Sequence, residues 1–137
     1  MRGMAAVAIL LLGACSEAKP DKIAVISLGE AVRPEDYLKR GYITLLEFTR
    51  TGCGPCAELA PELDRLAEKY DRVLVRRVDF MRSGTAAADQ MSGEFGGREV
   101  PHVVVFQEDG TPLGPVMADP KSIELAVLRA MARRSIH

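Results

Sequence analysis

Apolar and polar positions along this chain switch between two periods, and the switches mark out its elements. Ile23-Ala24-Val25-Ile26 is a short apolar run that predicts a strand. Pro34 suits the first turn of a helix running through Glu35, Asp36, Tyr37 and Leu38 to a stop at Gly41. Tyr42 to Phe48 is rich in β-forming residues and almost continuously apolar, the pattern of a strand covered on both faces. From Gly54 to Tyr70, the apolar positions Leu59, Leu63, Leu66, Ala67 and Tyr70 fall three and four apart and form one helical stripe. Pro61 lies inside that stripe, where it removes a backbone donor and predicts a kink. Val73 to Asp79 reads as a strand, Thr85 to about Phe95 as a helix, and Val103 to Phe106 as a buried strand. Asp109-Gly110 then predicts a hairpin turn, with Pro112 to Met117 as the returning strand. Asp119 can cap a last helix that has Pro120 in its first turn and Ile123, Val127, Ala130 and Met131 along one face. Strands and helices alternate, so the fold class is α/β, a mixed central sheet flanked by helices.

The chain has 137 residues, room for one domain and not two. Its 47% apolar and 27% charged residues form an ordinary globular mixture, and a net charge of −1 points to no particular partner. The basic pairs Arg76-Arg77 and Arg133-Arg134 lack interleaved aromatics and read as solvated edges, so no nucleic acid is expected as a partner.

The first residues depart from this mixture. Arg2 precedes an uninterrupted apolar run from Met4 to Leu12. That run is shorter than the ~18 residues of a membrane-spanning helix and fits the apolar region of a secretory leader. Leu12-Gly13-Ala14-Cys15 resembles the lipobox of bacterial lipoproteins. The resemblance implies cleavage before Cys15 and lipid on its thiol. Residues 1–14 would then be the signal peptide, 15–22 a lipidated tether and 23–137 the folded domain. The alternatives are a plain secretory leader cut near Ala14, a single uncleaved anchor, and a buried core segment with an incidental cysteine. Acyl chains on one residue give stable anchoring because each buried CH₂ contributes about 0.8 kcal/mol. The expected location is the bacterial envelope, lipid-anchored and facing the periplasm. Ser16 after the lipobox cysteine favours the outer membrane by resemblance to enterobacterial lipoproteins.

Two further cysteines form Cys53-Gly54-Pro55-Cys56, placed where a buried strand gives way to a helix. A sulfur at a helix N-terminus meets unpaired N–H groups and the positive end of the helix dipole, and both stabilise a thiolate. Within one turn, Cys56 can reach the sulfur of Cys53. Pro55 has no N–H to lose there, and Gly54 carries no side chain to shield the sulfur. A zinc site needs four ligands, and only His102 and His137 remain to help, so no metal is expected. A disulfide closing so short a loop would also be a poor staple. No cofactor is called for. Glu47, a carboxyl in an otherwise apolar strand, should have a raised pKa suited to proton transfer.

Glu47-Phe48, the Cys53-Gly54-Pro55-Cys56 dithiol and Pro61 together resemble the thioredoxin signature, and Val100-Pro101 before Val103-Val104-Val105-Phe106 resembles that family's cis-proline loop. The similarity spans about residues 23 to 132 and implies a thioredoxin-like fold and thiol:disulfide exchange. By that resemblance Cys53 is the attacking sulfur, Cys56 the resolving sulfur, and Pro101 a cis-proline that holds the substrate chain. Glu47 stands where thioredoxins carry a buried aspartate that helps deprotonate the resolving thiol. The sequence departs from the family at three places: Gly52 replaces a tryptophan, Val75 replaces a lysine that neighbours the buried acid, and His102 follows Pro101 where threonine is common. An imidazolium at His102 would stabilise a Cys53 thiolate if it came near.

The resemblance implies protein thiols and disulfides as substrates and another dithiol protein as electron donor. Gly-Pro between the cysteines resembles reducing members of the family, which points to a disulfide reductase. The alternatives are an oxidase or isomerase, a lipid-anchored binding module with an idle dithiol, and a metal chaperone.

Overall fold

The structure is a computed structural model that describes Gly13 and residues 17–134. Apart from Gly13, the leader and lipobox residues, Cys15 among them, lie outside the described residues, as does His137. The elements follow in chain order: β1 (Ile23–Ser27), α1 (Pro34–Tyr37), β2 (Ile43–Thr49), α2 (Gly54–Lys69), β3 (Val73–Asp79), α3 (Ala86–Gly93), β4 (His102–Phe106) and α4 (Pro120–Arg134).

The four strands form one mixed sheet in the order β1-β3-β2-β4. β3 pairs in parallel with both β1 and β2, and β4 runs antiparallel to β2. β2 is central and buried along its whole length, which explains its near-continuous apolar sequence. Its side chains alternate between two cores. Ile43 and Leu45 pack with Leu59, Leu63 and Leu66 of α2 and Ile123 and Val127 of α4. Leu46 and Phe48 point the other way, into a cluster with Tyr37, Met91 and Phe106. Glu47 shares the parity of Ile43 and Leu45, so it lies on the sheet face that α2 covers.

α2 runs unbroken through Pro61, with Leu59, Leu63, Leu66 and Ala67 buried as their spacing predicts. Asp119 accepts from the Ser122 N–H at 2.9 Å and so caps α4. That helix buries Ile123, Ala126, Val127 and Ala130 but leaves Met131 at its exposed edge, so Met131 is not part of the core stripe. α1 is a single turn, shorter than the run to Gly41 suggests, because Leu38 already adopts extended backbone.

The returning strand expected at Pro112–Met117 does not form. Gln107 and Thr111 close the Asp109-Gly110 hairpin through an N–H to carbonyl bond of 2.8 Å, and a single bridge joins Phe106 to Pro112. The Leu113 N–H reaches the Val105 carbonyl at 2.8 Å, and there the ladder stops. Pro115 occupies the next donor position on that edge and has no N–H to give.

At the opposite end of the sheet from the dithiol, the Lys22 ammonium donates to the carbonyls of Tyr70 and Asp71, each at 2.7 Å, and more distantly to that of Val73 at 3.4 Å. These bonds fasten the chain leading into β1 against the loop before β3.

Candidate active site

The dithiol sits at the start of α2, just past the carboxyl end of β2. Cys53 is the N-cap residue of the helix, with extended backbone, and its sulfur accepts the Cys56 N–H at 3.3 Å. Gly54 and Pro55 fill the first two helical positions, where N–H groups have no intrahelical acceptor and proline loses nothing. The two cysteines are joined by a disulfide, with Cα atoms 5.2 Å apart. Cys53 is half-buried, whereas Cys56 is only 2% exposed and faces the core. Two cysteines of one turn therefore have different access to solvent.

The loop that delivers Cys53 is held by Asp79 at the end of β3. The Asp79 carboxylate accepts the Thr51 N–H at 3.2 Å, the Thr51 hydroxyl at 2.9 Å and the Met81 N–H at 2.9 Å. Phe80 adds a backbone bond to the Thr49 carbonyl at 2.9 Å. Gly52 has φ +83°, a left-handed conformation that a tryptophan in its place would adopt only under strain, although the space around it is open. Sequence reasoning overlooked Asp79. Its signal was an aspartate ending a strand before an irregular loop, where its side chain can accept nearby backbone N–H groups.

The Val100–Pro101 peptide bond is cis. Pro101 precedes β4, one register step past the pairing of Phe48 with His102, which puts it level with Thr49 as the chain leaves β2 for the dithiol.

Glu47 is completely buried and lies side by side with Arg77 across the parallel β2–β3 pair. Its Oε2 accepts a short hydrogen bond from Arg77 Nε, while Oε1 has no partner among the described residues. The same guanidinium donates through Nη2 to Asp64 Oδ1 on α2 at 3.0 Å. Burial pushes the Glu47 carboxyl above its ordinary value. The Arg77 charge and hydrogen bond oppose that rise, and the Asp64 charge adds to it.

This arrangement corrects the reading of Arg76-Arg77 as a solvated edge. Arg76 is 8% exposed and donates to the carbonyls of Asp21 and Val75 at 2.9 and 3.0 Å. Arg77 points to the other face, over Glu47. Although Val75 removes a cation from its own position, Arg77 restores one two residues along the same face.

His102 is engaged away from the sulfurs, at the Phe95 carbonyl. Its ring Nε2 lies 3.0 Å from the Phe95 carbonyl, and its imidazole packs near Phe48 with centroids 6.2 Å apart. A Cβ on Gly97 would lie 2.8 Å from that ring and 2.6 Å from Met91, so the absence of a side chain there lets the turn close over the imidazole.

The thioredoxin family profile matches residues 34–124. The chain belongs to the thioredoxin family. It is 35% identical over 86 residues to the thioredoxin of Staphylococcus saprophyticus subsp. saprophyticus, a match covering 61% of this chain and 74% of that relative. The short form of spinach chloroplast thioredoxin f is 26% identical, with a TM-score of 0.56 over 67% of this chain and 79% of that one. Thioredoxin of Trypanosoma brucei brucei, at 17% identity, shares the fold with a TM-score of 0.63 over 84% of this chain and 97% of that one. Family membership together with the Cys53–Cys56 pair makes the protein a thiol:disulfide oxidoreductase acting on protein disulfides.

Proposed function

We propose that this thioredoxin-family protein is a disulfide reductase of the bacterial envelope, held to a membrane by lipid on Cys15 and resupplied with electrons by another dithiol protein. The observation that carries the exchange chemistry is the unequal access of the two sulfurs, Cys53 half-buried at the helix cap and Cys56 2% exposed; Gly54-Pro55 between the cysteines supports reduction, and Leu12-Gly13-Ala14-Cys15 supports the anchor.

In the reduced protein, the Cys53 thiolate attacks one sulfur of a substrate disulfide. That S–S bond breaks, and the departing substrate sulfur takes a proton. Cys56 then gives its proton to the Glu47 carboxylate and attacks the Cys53 sulfur of the mixed disulfide. The second substrate sulfur leaves, so the substrate gains two electrons and the Cys53–Cys56 disulfide closes. The helix terminus stabilises the Cys53 thiolate without a separate base. Pro101 positions the substrate chain beside the dithiol and offers no N–H to the sulfurs. Gly52, Gly54 and Pro55 leave the approach to Cys53 free of bulky side chains.

The direction of transfer is tested by equilibrating the Cys53–Cys56 couple against a glutathione series. For two electrons, about 30 mV changes the oxidised-to-reduced ratio tenfold. A reductase should remain oxidised until the buffer is strongly reducing. If the pair is fully reduced in a weakly reducing buffer, the protein is an oxidant and the proposed direction is wrong.

A further inference from the structure

The buried Glu47 and the half-buried Arg77 and Asp64 form a single chain of charges running from the interior of the sheet face under α2 toward solvent. Side-chain exposure rises along it from 0% at Glu47 to 14% at Arg77 and 34% at Asp64. One guanidinium serves both carboxylates, Nε toward Glu47 and Nη2 toward Asp64. Arg77 keeps its own proton at any working pH, so it cannot relay one; it acts by fixed charge and direction.

We propose that Asp64 is a positioning residue that governs when Glu47 is free to take the Cys56 proton, acting by drawing on Arg77, the cation that Glu47 needs. The inference rests on the reading of Glu47 as proton acceptor.

The charged neighbours of Glu47 are few. β3 supplies Arg77 and α2 supplies Asp64, the two groups that act on its charge. Across β4 the register partner is Val103, which carries no charge, and the proposed proton donor, the Cys56 thiol, is available once the disulfide is open. Oε2 is occupied by Arg77, which leaves Oε1, unpartnered among the described residues, as the oxygen that can hold the incoming proton. Arg77 favours the charged form of Glu47 and so weakens it as a proton acceptor, whereas burial favours the protonated form. Sharing Arg77 with Asp64 weakens the pull of the cation and raises the affinity of Glu47 for a proton.

The proposal predicts opposite effects from the two partners. In the full-length protein, Glu47 can be followed directly by its labelled side-chain carbonyl in ¹³C NMR of the reduced form, assigned by its loss in Glu47→Gln. Resolution can be followed as thiol release from a mixed disulfide preformed on Cys53. Asp64→Asn should lower the midpoint of both titrations by about half a unit, roughly a threefold gain in charged Glu47 on the acid side. Arg77→Gln should raise both midpoints, and Arg77→Lys should remain near wild type. In a Glu47→Gln background, Asp64→Asn should leave the pH profile unmoved. If Glu47 titrates with the same midpoint in wild type and Asp64→Asn, the control is absent, while the proton-acceptor reading stands. If Glu47→Gln resolves with the wild-type pH profile, Glu47 is not the acceptor and the proposal falls with it.

Discussion

Asp79 holds Thr51 by two bonds at once, accepting its backbone N–H at 3.2 Å and its hydroxyl at 2.9 Å. The residue that ends β3 thereby fixes the loop two positions ahead of the first sulfur, and the sheet, not the helix alone, sets where Cys53 begins. Replacing Asp79 with Ala removes these acceptors together with that of the Met81 N–H. The variant should lose about 1–2 kcal/mol in urea unfolding, since the affected groups lie near the surface and water can take over part of the bonding. Thr51→Val, which keeps the backbone donor, should lose less. Equal unfolding midpoints for Asp79→Ala and wild type would show that the clamp contributes nothing net.

The unequal access of the sulfurs predicts their order of reaction. Cys56→Ser should accumulate mixed disulfides with envelope proteins that dissolve in reductant, because the attacking sulfur remains and the resolving one is gone. Cys53→Ser should accumulate few. Alkylation of the reduced wild type should label Cys53 first. Faster labelling of Cys56, or adducts confined to Cys53→Ser, would reverse the roles.

Glu47 links stability to pH with a definite sign. Because burial raises its carboxyl in the folded state, the fold keeps a proton that the unfolded chain has already lost, over a window starting at the ordinary carboxyl value and reaching upward. In that window the unfolded state binds fewer protons, so stability falls as pH rises. Glu47→Gln abolishes this dependence. Thermal unfolding should show the variant gaining on wild type from mildly acid to mildly alkaline pH. A stability difference independent of pH would mean that Glu47 stays charged throughout.

Lipidation predicts both a mass and a terminus. Protein made in a bacterium with its leader intact should begin at Cys15, carry acyl chains and partition into detergent. Cys15→Ala should release the protein or leave the precursor uncut. Intact mass spectrometry that finds another terminus and no acyl mass would rule the anchor out.

The parts of the fold legible in the sequence were those governed by local pattern. The stripe Leu59, Leu63, Leu66 and Ala67 could only be one helix face, and the almost wholly apolar Ile43–Phe48 segment could only be a strand covered on both sides. The dithiol was legible because its chemistry depends on neighbours in sequence: a strand before, a helix after, proline within. What escaped depended on register. Arg77 reaches Glu47 because β2 and β3 pair in parallel with these two residues level, and nothing in either segment alone announces that alignment. His102 turned to the Phe95 carbonyl for an equally distant reason, the gap left by Gly97. The missing fifth strand was readable in principle, since Pro115 occupies a position that should donate, but the alternation around it resembled a strand closely enough to mask the fault.

The three carbonyls gripped by Lys22 lie beyond one end of α2, and Cys53 caps the other. A helix of sixteen residues rises about 24 Å, so the two points lie at opposite poles of the molecule. Any tension on the leading segment is delivered to the rear of the sheet, to backbone that takes no part in sulfur chemistry. Were the chain moored through Cys15 as proposed, its reactive pole would lie away from the attachment, and the length of the mooring would set how far out a partner's disulfide can be met.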